Sequence, residues 1–144
     1  MLQLRSANLE VDYPVFKSWW QAHNWQAVPK EALPALSAVC YDSETPEKLL
    51  AAAWTYMDNS VGVAMIEWVV ANPDNTPKES LKSIKMCLEY LKHQLTKGWI
   101  IDGVHYHYPI ILAATNVQGL IKLYERQNFK VTDKNITHLI YLEE

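Results

Sequence analysis

The stretch over residues 65–95 constrains the fold more than any other part of this chain. An apolar run over 65–70 predicts a buried strand, and the polar residues 71–76 after it predict a loop. Apolar residues then recur at alternating steps of three and four, the spacing of one helix face: Leu81, Ile84, Leu88, Leu91 and Leu95. Because the first N–H groups of a helix lack partners within it, the start of a helix after a strand is where α/β folds tend to hold phosphates. Whether this helix start binds one is left open at this point.

Apolar runs along the rest of the chain predict an α/β fold with a mixed central sheet. We predict strands over residues 2–4, 36–41, 49–57, 61–70, 107–113, 129–132 and 136–142. Residues 98–103 are predicted to form a turn. Taken with the helices, this order predicts an antiparallel meander of strands followed by a parallel crossover.

Two further helices are predicted from periodicity and capping residues. The first begins at Asp12 or Tyr13 and ends at Asn24. The second covers residues 117–127, with Thr115 or Asn116 as its N-cap. Asn128 follows it at the place where a left-handed residue ends many helices.

Composition limits the classes of function. A chain of 144 residues with 49% apolar content can bury a core, and we predict a single domain over 1–144. The net charge of -3 gives no reason to expect nucleic acid or an anionic membrane as partner. No apolar run approaches the roughly 18 residues of a membrane helix, and the N-terminus lacks a signal pattern. Cys40 and Cys87 lie in apolar patterns, which predicts buried thiols and a cytoplasmic protein. Monomer and homodimer both stay open.

Two local motifs lie within this order of elements. The first is the segment 67–74, EWVVANPD, and the second combines Asn116 with the segment 123–129, LYERQNF. Together with the element order, over roughly residues 35–142, they resemble the GNAT family, the Gcn5-related N-acetyltransferases. In that family the first motif runs into a pyrophosphate loop, and the second is a helix with a tyrosine. Residues 19–23 are also similar to a branch of small GNAT-like proteins often met in bacteriophage genomes.

The resemblance implies the GNAT acyltransferase fold and a reaction in which an amine attacks an acyl-CoA thioester. The acceptor would be a small-molecule or peptide amine, and acetyl-CoA would be the co-substrate. The resemblance makes Tyr124 the donor to the departing thiolate and Glu67 the base. Because tyrosine is ordinarily a weaker acid than a thiol, a hydrogen bond describes the first role better than full proton transfer. Packing of Tyr124 on the sheet and an exposed strand carboxylate at Glu67 are the structural alternatives.

The cofactor loop departs from the family signature Arg/Gln-x-x-Gly-x-Gly/Ala. Aligned from Pro73, the chain carries TPKESL over 76–81, with Glu79 and Leu81 in the glycine positions. Thr76 and Glu79 predict a capping box, which would use the free N–H groups and add a negative charge. We predict cofactor contacts at Val69, Val70, Lys78, Glu79, Ser80, Lys82 and Asn116. The lysines are either phosphate ligands or a solvated helix face paired with glutamates.

Tryptophan and histidine residues are candidates for an acceptor pocket and for a metal site. Trp19, Trp20 and Trp54 are predicted to line the pocket, with burial in the core as the alternative. His105 and His107 share a strand face, but without a third ligand at a fixed spacing we predict no metal site. The sequence thus predicts an N-acetyltransferase-like protein. The rival prediction is a catalytically inactive GNAT-fold binding module that has lost the glycine loop.

Overall fold

The computed structural model describes residues 1–134, 136, 137, 139, 141 and 143, and only the backbone of 99 and 101. The chain forms two compact units, Met1–Ala114 and Thr115–Glu144. Among the described residues, none of the helices combines the length and apolar character that a membrane crossing requires.

The first unit holds a five-stranded mixed sheet, two helices and a hairpin. In chain order its elements are β1 (Leu2–Arg5), α1 (Leu9–Ala22), a 3-10 turn (Lys30–Ala32), β2 (Leu36–Asp42), β3 (Thr45–Met57), β4 (Val63–Ala71), α2 (Pro77–Lys97), β5 (Trp99–Ile101), β6 (Val104–Tyr106) and β7 (Ile110–Ala113). The sheet order is β1-β2-β3-β4-β7, and β5 pairs with β6 alone. Neighbours are antiparallel except β4 and β7, which are parallel. The predicted mixed sheet flanked by helices is confirmed.

Helices α1 and α2 cover opposite faces of the sheet. On one face the aromatic side chains of α1 pack against β2, β3 and β4: Phe16, Trp19, Trp20, Val39, Ala52, Trp54 and Val70 form this cluster. On the other face the thiol of Cys87 in α2 donates to the Ala38 carbonyl at 3.7 Å. Ala38 and Val39 are neighbours on one strand, so their side chains point to opposite faces. Burial raises the pKa of Cys40 to about 11 and also raises that of Cys87, so both free thiols are neutral.

The predicted elements agree with the structure except at their ends and in one hairpin. Helix α1 begins at Leu9, earlier than predicted, because Asp12 accepts the N–H of Asn8 at 2.8 Å from inside the first turn. The region 98–103, predicted as a turn, carries the β5–β6 hairpin instead. β7 begins at Ile110 rather than at residue 107, because Pro109 has no backbone N–H to donate to a neighbouring strand.

The second unit is described from residue 115 onward. Its helix α3 (Gln118–Arg126) begins after Val117, so neither Thr115 nor Asn116 is the N-cap. The Thr115 hydroxyl accepts the Val117 N–H at 3.1 Å instead. Asn128 is left-handed at φ 70, as predicted. The strand predicted over 129–132 is absent from these described residues, and the one predicted over 136–142 includes residues outside the described part.

Candidate functional site

Strand β4 carries a bulge near its middle. Ala52 pairs with Val70 and Trp54 pairs with Glu67, so two residues of β4, Trp68 and Val69, oppose the single residue between Ala52 and Trp54. Trp68 has φ 60, in the left-handed region. This conformation costs a residue with a side chain about 1–2 kcal/mol. Neighbouring contacts must therefore hold the backbone of Trp68 there.

A chain of two hydrogen bonds links the Trp68 side chain to the 3-10 turn. Its indole N–H donates to the Tyr56 hydroxyl at 2.8 Å. The Tyr56 hydroxyl in turn donates to the carbonyl of Ala32, in the 3-10 turn after α1. The indole is thereby fixed between β4 and the turn, while 36% of Trp68 stays exposed. Sequence reasoning missed this chain of contacts, because nothing local to Trp68 signals a partner twelve residues away on another strand.

The bulge follows the point at which β4 and β7 part. The parallel pairs run from Val63 with Ile110 to Ile66 with Ala113. β4 then continues to Ala71, and no strand among the described residues pairs with it on that side. The edge of β4 beyond Ile66 thus presents backbone groups that an extended ligand can pair with, as in β-strand addition. The predicted cofactor contacts Val69 and Val70 lie in this stretch of β4.

Glu67 lies between the last β4–β7 pair and the bulge. It is in register with Trp54 on β3, so its carboxylate is on the sheet face that α1 covers. The side chain is half-buried. The structure therefore brings the predicted base and the two predicted backbone donors, Val69 and Val70, onto one short segment of β4.

The N-terminus of α2 carries the predicted capping box. The Thr76 hydroxyl accepts the Glu79 N–H at 3.2 Å, and the Glu79 carboxylate accepts the Thr76 N–H at 2.8 Å. The Thr76 N–H holds the pKa of Glu79 below its ordinary value. Since Pro77 has no N–H, the Lys78 N–H is the one donor at this described terminus that the box leaves.

A cleft of about 450 Å³ lies beside this terminus. Its lining residues come from β1, β2, the β2–β3 turn, β3, and α2 with its N-cap: Leu2, Asp42, Glu44, Thr45, Lys48, Leu50, Thr76, Lys78, Glu79 and Lys82. Lys48 lies 3.9 Å from the Glu79 carboxylate, and the N-terminal ammonium lies 3.2 Å from Asp42. Given the strand order, this cleft is on the side of β4 away from β7. Lys48 carries no local sequence signal, and only the fold brings it to the cleft.

The loop from β4 to α2 is fixed to the end of β3. The Asn72 side-chain amide donates to the Leu49 carbonyl at 3.0 Å, and that of Asn75 donates to the Leu50 carbonyl at 2.9 Å. The Asn75 amide also lies 3.3 Å from the Ser80 hydroxyl. The predicted cofactor contact Ser80 thus takes part in holding the loop.

The predicted acceptor-pocket tryptophans lie in the core. The exposed fractions of Trp19, Trp20 and Trp54 are 4%, 2% and 0%. Phe16 stands at ring-centroid distances of 5.5 Å from Trp19 and 5.1 Å from Trp54, both edge to face. The pocket role predicted for these side chains is corrected to a role in the core, because α1 buries them against the sheet.

The remaining predicted residues belong to elements other than β4. Tyr124 is in α3 of the second unit, 6% exposed, with its ring 5.0 Å from that of Phe129. Asn116 is exposed in the segment before α3. The rings of His105 and His107 are 6.3 Å apart, and no group of three or more candidate metal ligands occurs among the described residues.

Comparison with known proteins gives the fold. No family model and no curated protein matches this sequence. A GNAT-family acetyltransferase from Streptococcus pneumoniae is 12% identical, with 99% of this chain and 98% of that chain covered and a TM-score of 0.57. A ribosomal-protein-alanine N-acetyltransferase from Brucella melitensis is 12% identical, with coverage of 99% and 100% and a TM-score of 0.59.

A third solved structure, Rv2747 from Mycobacterium tuberculosis in complex with CoA and NLQ, is 10% identical. The match covers 94% of this chain and 76% of that chain, with a TM-score of 0.55. At these identities the likeness speaks for the architecture alone. The protein therefore has the fold of the GNAT acetyltransferases.

Proposed function

We propose that this protein is an N-acyltransferase that uses acetyl-CoA to acylate an amine by direct attack. The observation that carries the proposal is the bulge of β4 at Trp68, directly beyond the last β4–β7 pair. It leaves a strand edge with backbone donors beside a half-buried carboxylate. The fold supports the same function, since a solved protein of similar structure binds CoA.

Strand β4 supplies the base and the backbone donors for this reaction. Acyl-CoA supplies the thioester whose carbonyl carbon the amine attacks. The backbone N–H groups of Val69 and Val70 pair with the extended arm and polarise the carbonyl oxygen. Glu67 accepts the proton that the amine loses, directly or through a water molecule. As the C–S bond breaks, the thiolate takes up a proton from solvent and leaves as CoA. The hydrogen-bond donor that the family resemblance implies for this thiolate is Tyr124.

The diphosphate end of the cofactor fits this chain less well than the thioester end. The capping box uses the Thr76 and Glu79 N–H groups, and the Glu79 carboxylate opposes an anion. Lys78 and Lys82, which line the cleft beside the start of α2, can offer point charges. Because carboxylates line the same cleft, we expect the lysines to give weak and salt-dependent phosphate binding.

Calorimetry with acetyl-CoA, and with S-acetylpantetheine, which lacks the diphosphate, tests this function. Acetyl-CoA at about 100 times its Kd is expected to stabilise the fold by about 2.7 kcal/mol. If β4 carries most of the binding, the two ligands should differ in Kd by about tenfold or less. Absence of heat and of a thermal shift with both ligands would contradict the proposal.

Tyr124→Phe is expected to lower kcat by about tenfold while leaving the Kd of acetyl-CoA unchanged. The substitution removes only the hydroxyl that donates to the thiolate and keeps the ring beside Phe129. Rapid-quench measurement of acetyl transfer checks it, with Tyr90→Phe on α2 as the matched control. An unchanged kcat would assign Tyr124 to packing.

A second candidate is a GNAT-fold binding module without catalysis. The capping box favours it, since the helix terminus offers few donors to a diphosphate. A protein that binds S-acetylpantetheine but transfers no acetyl group to any amine would support this candidate over the first.

The setting of the proposed enzyme follows from composition and fold. We propose a cytoplasmic protein with a single functional domain, acting on a small-molecule or peptide amine as monomer or homodimer. Both cysteines are free and buried, which suits a reducing compartment. The similarity of residues 19–23 to small phage-encoded proteins is compatible with a phage origin.

A further inference from the structure

We propose that the acceptor is a primary amine carried on an aromatic or other apolar group, bound by the exposed indole of Trp68 beside Glu67. This inference rests on the proposed acyl transfer and names the class of acceptor. It concerns a surface of the first unit that we call the Trp68 surface, formed by Met65, Glu67, Trp68 and Leu112.

Strand register puts the members of the Trp68 surface on one face. Met65 pairs with Tyr56 on β3 and with Leu112 on β7, so these three side chains stand side by side. Trp68 joins them through its hydrogen bond to Tyr56. The exposed fractions are 37% for Met65, 36% for Trp68 and 47% for Leu112. Apolar side chains that stay exposed next to the bulge are available to an apolar ligand.

Charge on the Trp68 surface selects a cation. Glu67 is in register with Trp54, two residues before Tyr56 on the same strand, and thus lies on the same face. It is the one carboxylate among the four residues of this surface, and the face of an indole also attracts cations. An ammonium group with an apolar stem satisfies both features. An acidic peptide would be repelled by Glu67, and a polyhydroxylated amine would leave its hydroxyl groups against Met65 and Leu112 without partners.

The indole is fixed before any ligand arrives. Tyr56 accepts the Trp68 N–H and donates to the Ala32 carbonyl, which orients both rings. Fixing an exposed aromatic ring in advance lowers the entropy cost of binding. The left-handed backbone of Trp68 is strain of the kind that persists at functional sites. Tyr56 is accordingly a positioning residue, which acts through Trp68 and does not touch the amine.

The first test is binding of phenethylammonium, followed by NMR at the indole N–H of Trp68. That signal is assigned by its loss in Trp68→Phe, or by its shift in Tyr56→Phe should the first variant fold poorly. Phenethylammonium at millimolar concentration should move it, with CoA present or absent, and phenethyl alcohol and glucosamine should move it far less. A signal that stays still in both conditions, or that moves equally with all three compounds, overturns the inference.

The second test is kinetic. Trp68→Leu is expected to raise KM for phenethylamine by about tenfold, and Tyr56→Phe by about threefold, while KM for glucosamine rises far less in both variants. Tyr41→Phe is the matched control, because its hydroxyl bonds Gln3 at 3.0 Å on the β1–β2 side. If the unmodified protein binds acetyl-CoA but has the same kcat/KM for phenethylamine and for glucosamine, the inference is overturned and the proposed function stays intact. If the unmodified protein does not bind acetyl-CoA, the proposed function is overturned instead. The NMR test of amine binding can be carried out whether or not acetyl-CoA binds.

Discussion

Glu67→Gln is expected to lower kcat for acetyl transfer by about a hundredfold or more, the usual effect of losing a proton acceptor. The amide keeps the shape of the side chain on β4 but cannot take a proton from the attacking nitrogen. Because Val69 and Val70 act through their backbone, the Kd of acetyl-CoA should stay unchanged. Single-turnover kinetics at saturating acetyl-CoA measures the effect without contribution from product release.

The pH dependence of this variant separates catalysis from structure. An alkylamine is mostly protonated at neutral pH, so a base is most useful there and least useful near the amine's own pKa of about 10. The deficit of Glu67→Gln should therefore shrink as pH rises from 7 to 10. Glu89→Gln on α2, whose carboxylate lies 3.8 Å from Lys85 at the surface, is the control. If Glu67→Gln leaves kcat for acetyl transfer unchanged, Glu67 has no catalytic role.

The core of the fold was predictable because it follows periodicity. Leu88, Leu91 and Leu95, predicted on one helix face, are all buried, and the strand–loop–helix order over 65–95 is the order found. The same periodicity did not make Trp19, Trp20 and Trp54 a pocket, since aromatic side chains on a covering helix bury as readily as leucine. The spacing of apolar residues predicts that a face is covered. Only the packing of the folded chain shows whether a protein element or a ligand covers it.

The β5–β6 hairpin was missed although the sequence carries its signal. Asp102 and Gly103 have φ 51 and 78, the two positive values that a two-residue hairpin turn requires, and Asp-Gly is the pair that favours it. The flanking strands are only three residues each, too short for a clear alternation. The bulge at Trp68 is different, because tryptophan has no preference for a left-handed backbone. The contact with Tyr56 that accompanies it joins two strands and exists only after the sheet has formed.

The capping box shows the reverse case, in which local sequence fixed a feature of the site. Thr76, Pro77 and Glu79 predict it by spacing alone, and the structure has both of its hydrogen bonds. Lys48 on β3 adds an ion pair with Glu79, and no local sequence pattern indicates that pair. The thioester end of the candidate site thus depends on tertiary contacts, whereas the phosphate end is decided largely by six consecutive residues.

Asp12→Asn is expected to lower the free energy of unfolding by about 2–3 kcal/mol at pH 7. Asp12 binds Arg5 through two hydrogen bonds, at 2.7 and 2.9 Å, and accepts the Asn8 N–H at 2.8 Å. The Asp12 side chain is 6% exposed and that of Arg5 35%, so the cost is smaller than for a fully buried pair. Urea denaturation measures it. Glu10→Gln, on the same helix as Asp12, breaks an exposed ion pair with Lys30 of the 3-10 turn and should cost far less than Asp12→Asn.

The pH dependence of that loss follows from the direction of the Asp12 pKa. Burial raises the pKa of Asp12, but the hydrogen bonds from Arg5 and Asn8 lower it by more, so it lies below its ordinary value. A carboxyl group whose pKa is lower in the folded state stabilises the fold above the unfolded pKa of about 3.9, and that contribution disappears as pH falls through the folded value. The difference in unfolding free energy between the unmodified protein and Asp12→Asn should therefore be constant from pH 7 to 5 and should narrow below pH 4. A difference that stays constant to pH 2.5 would mean that the loss comes from packing and not from the charge that ties β1 to α1.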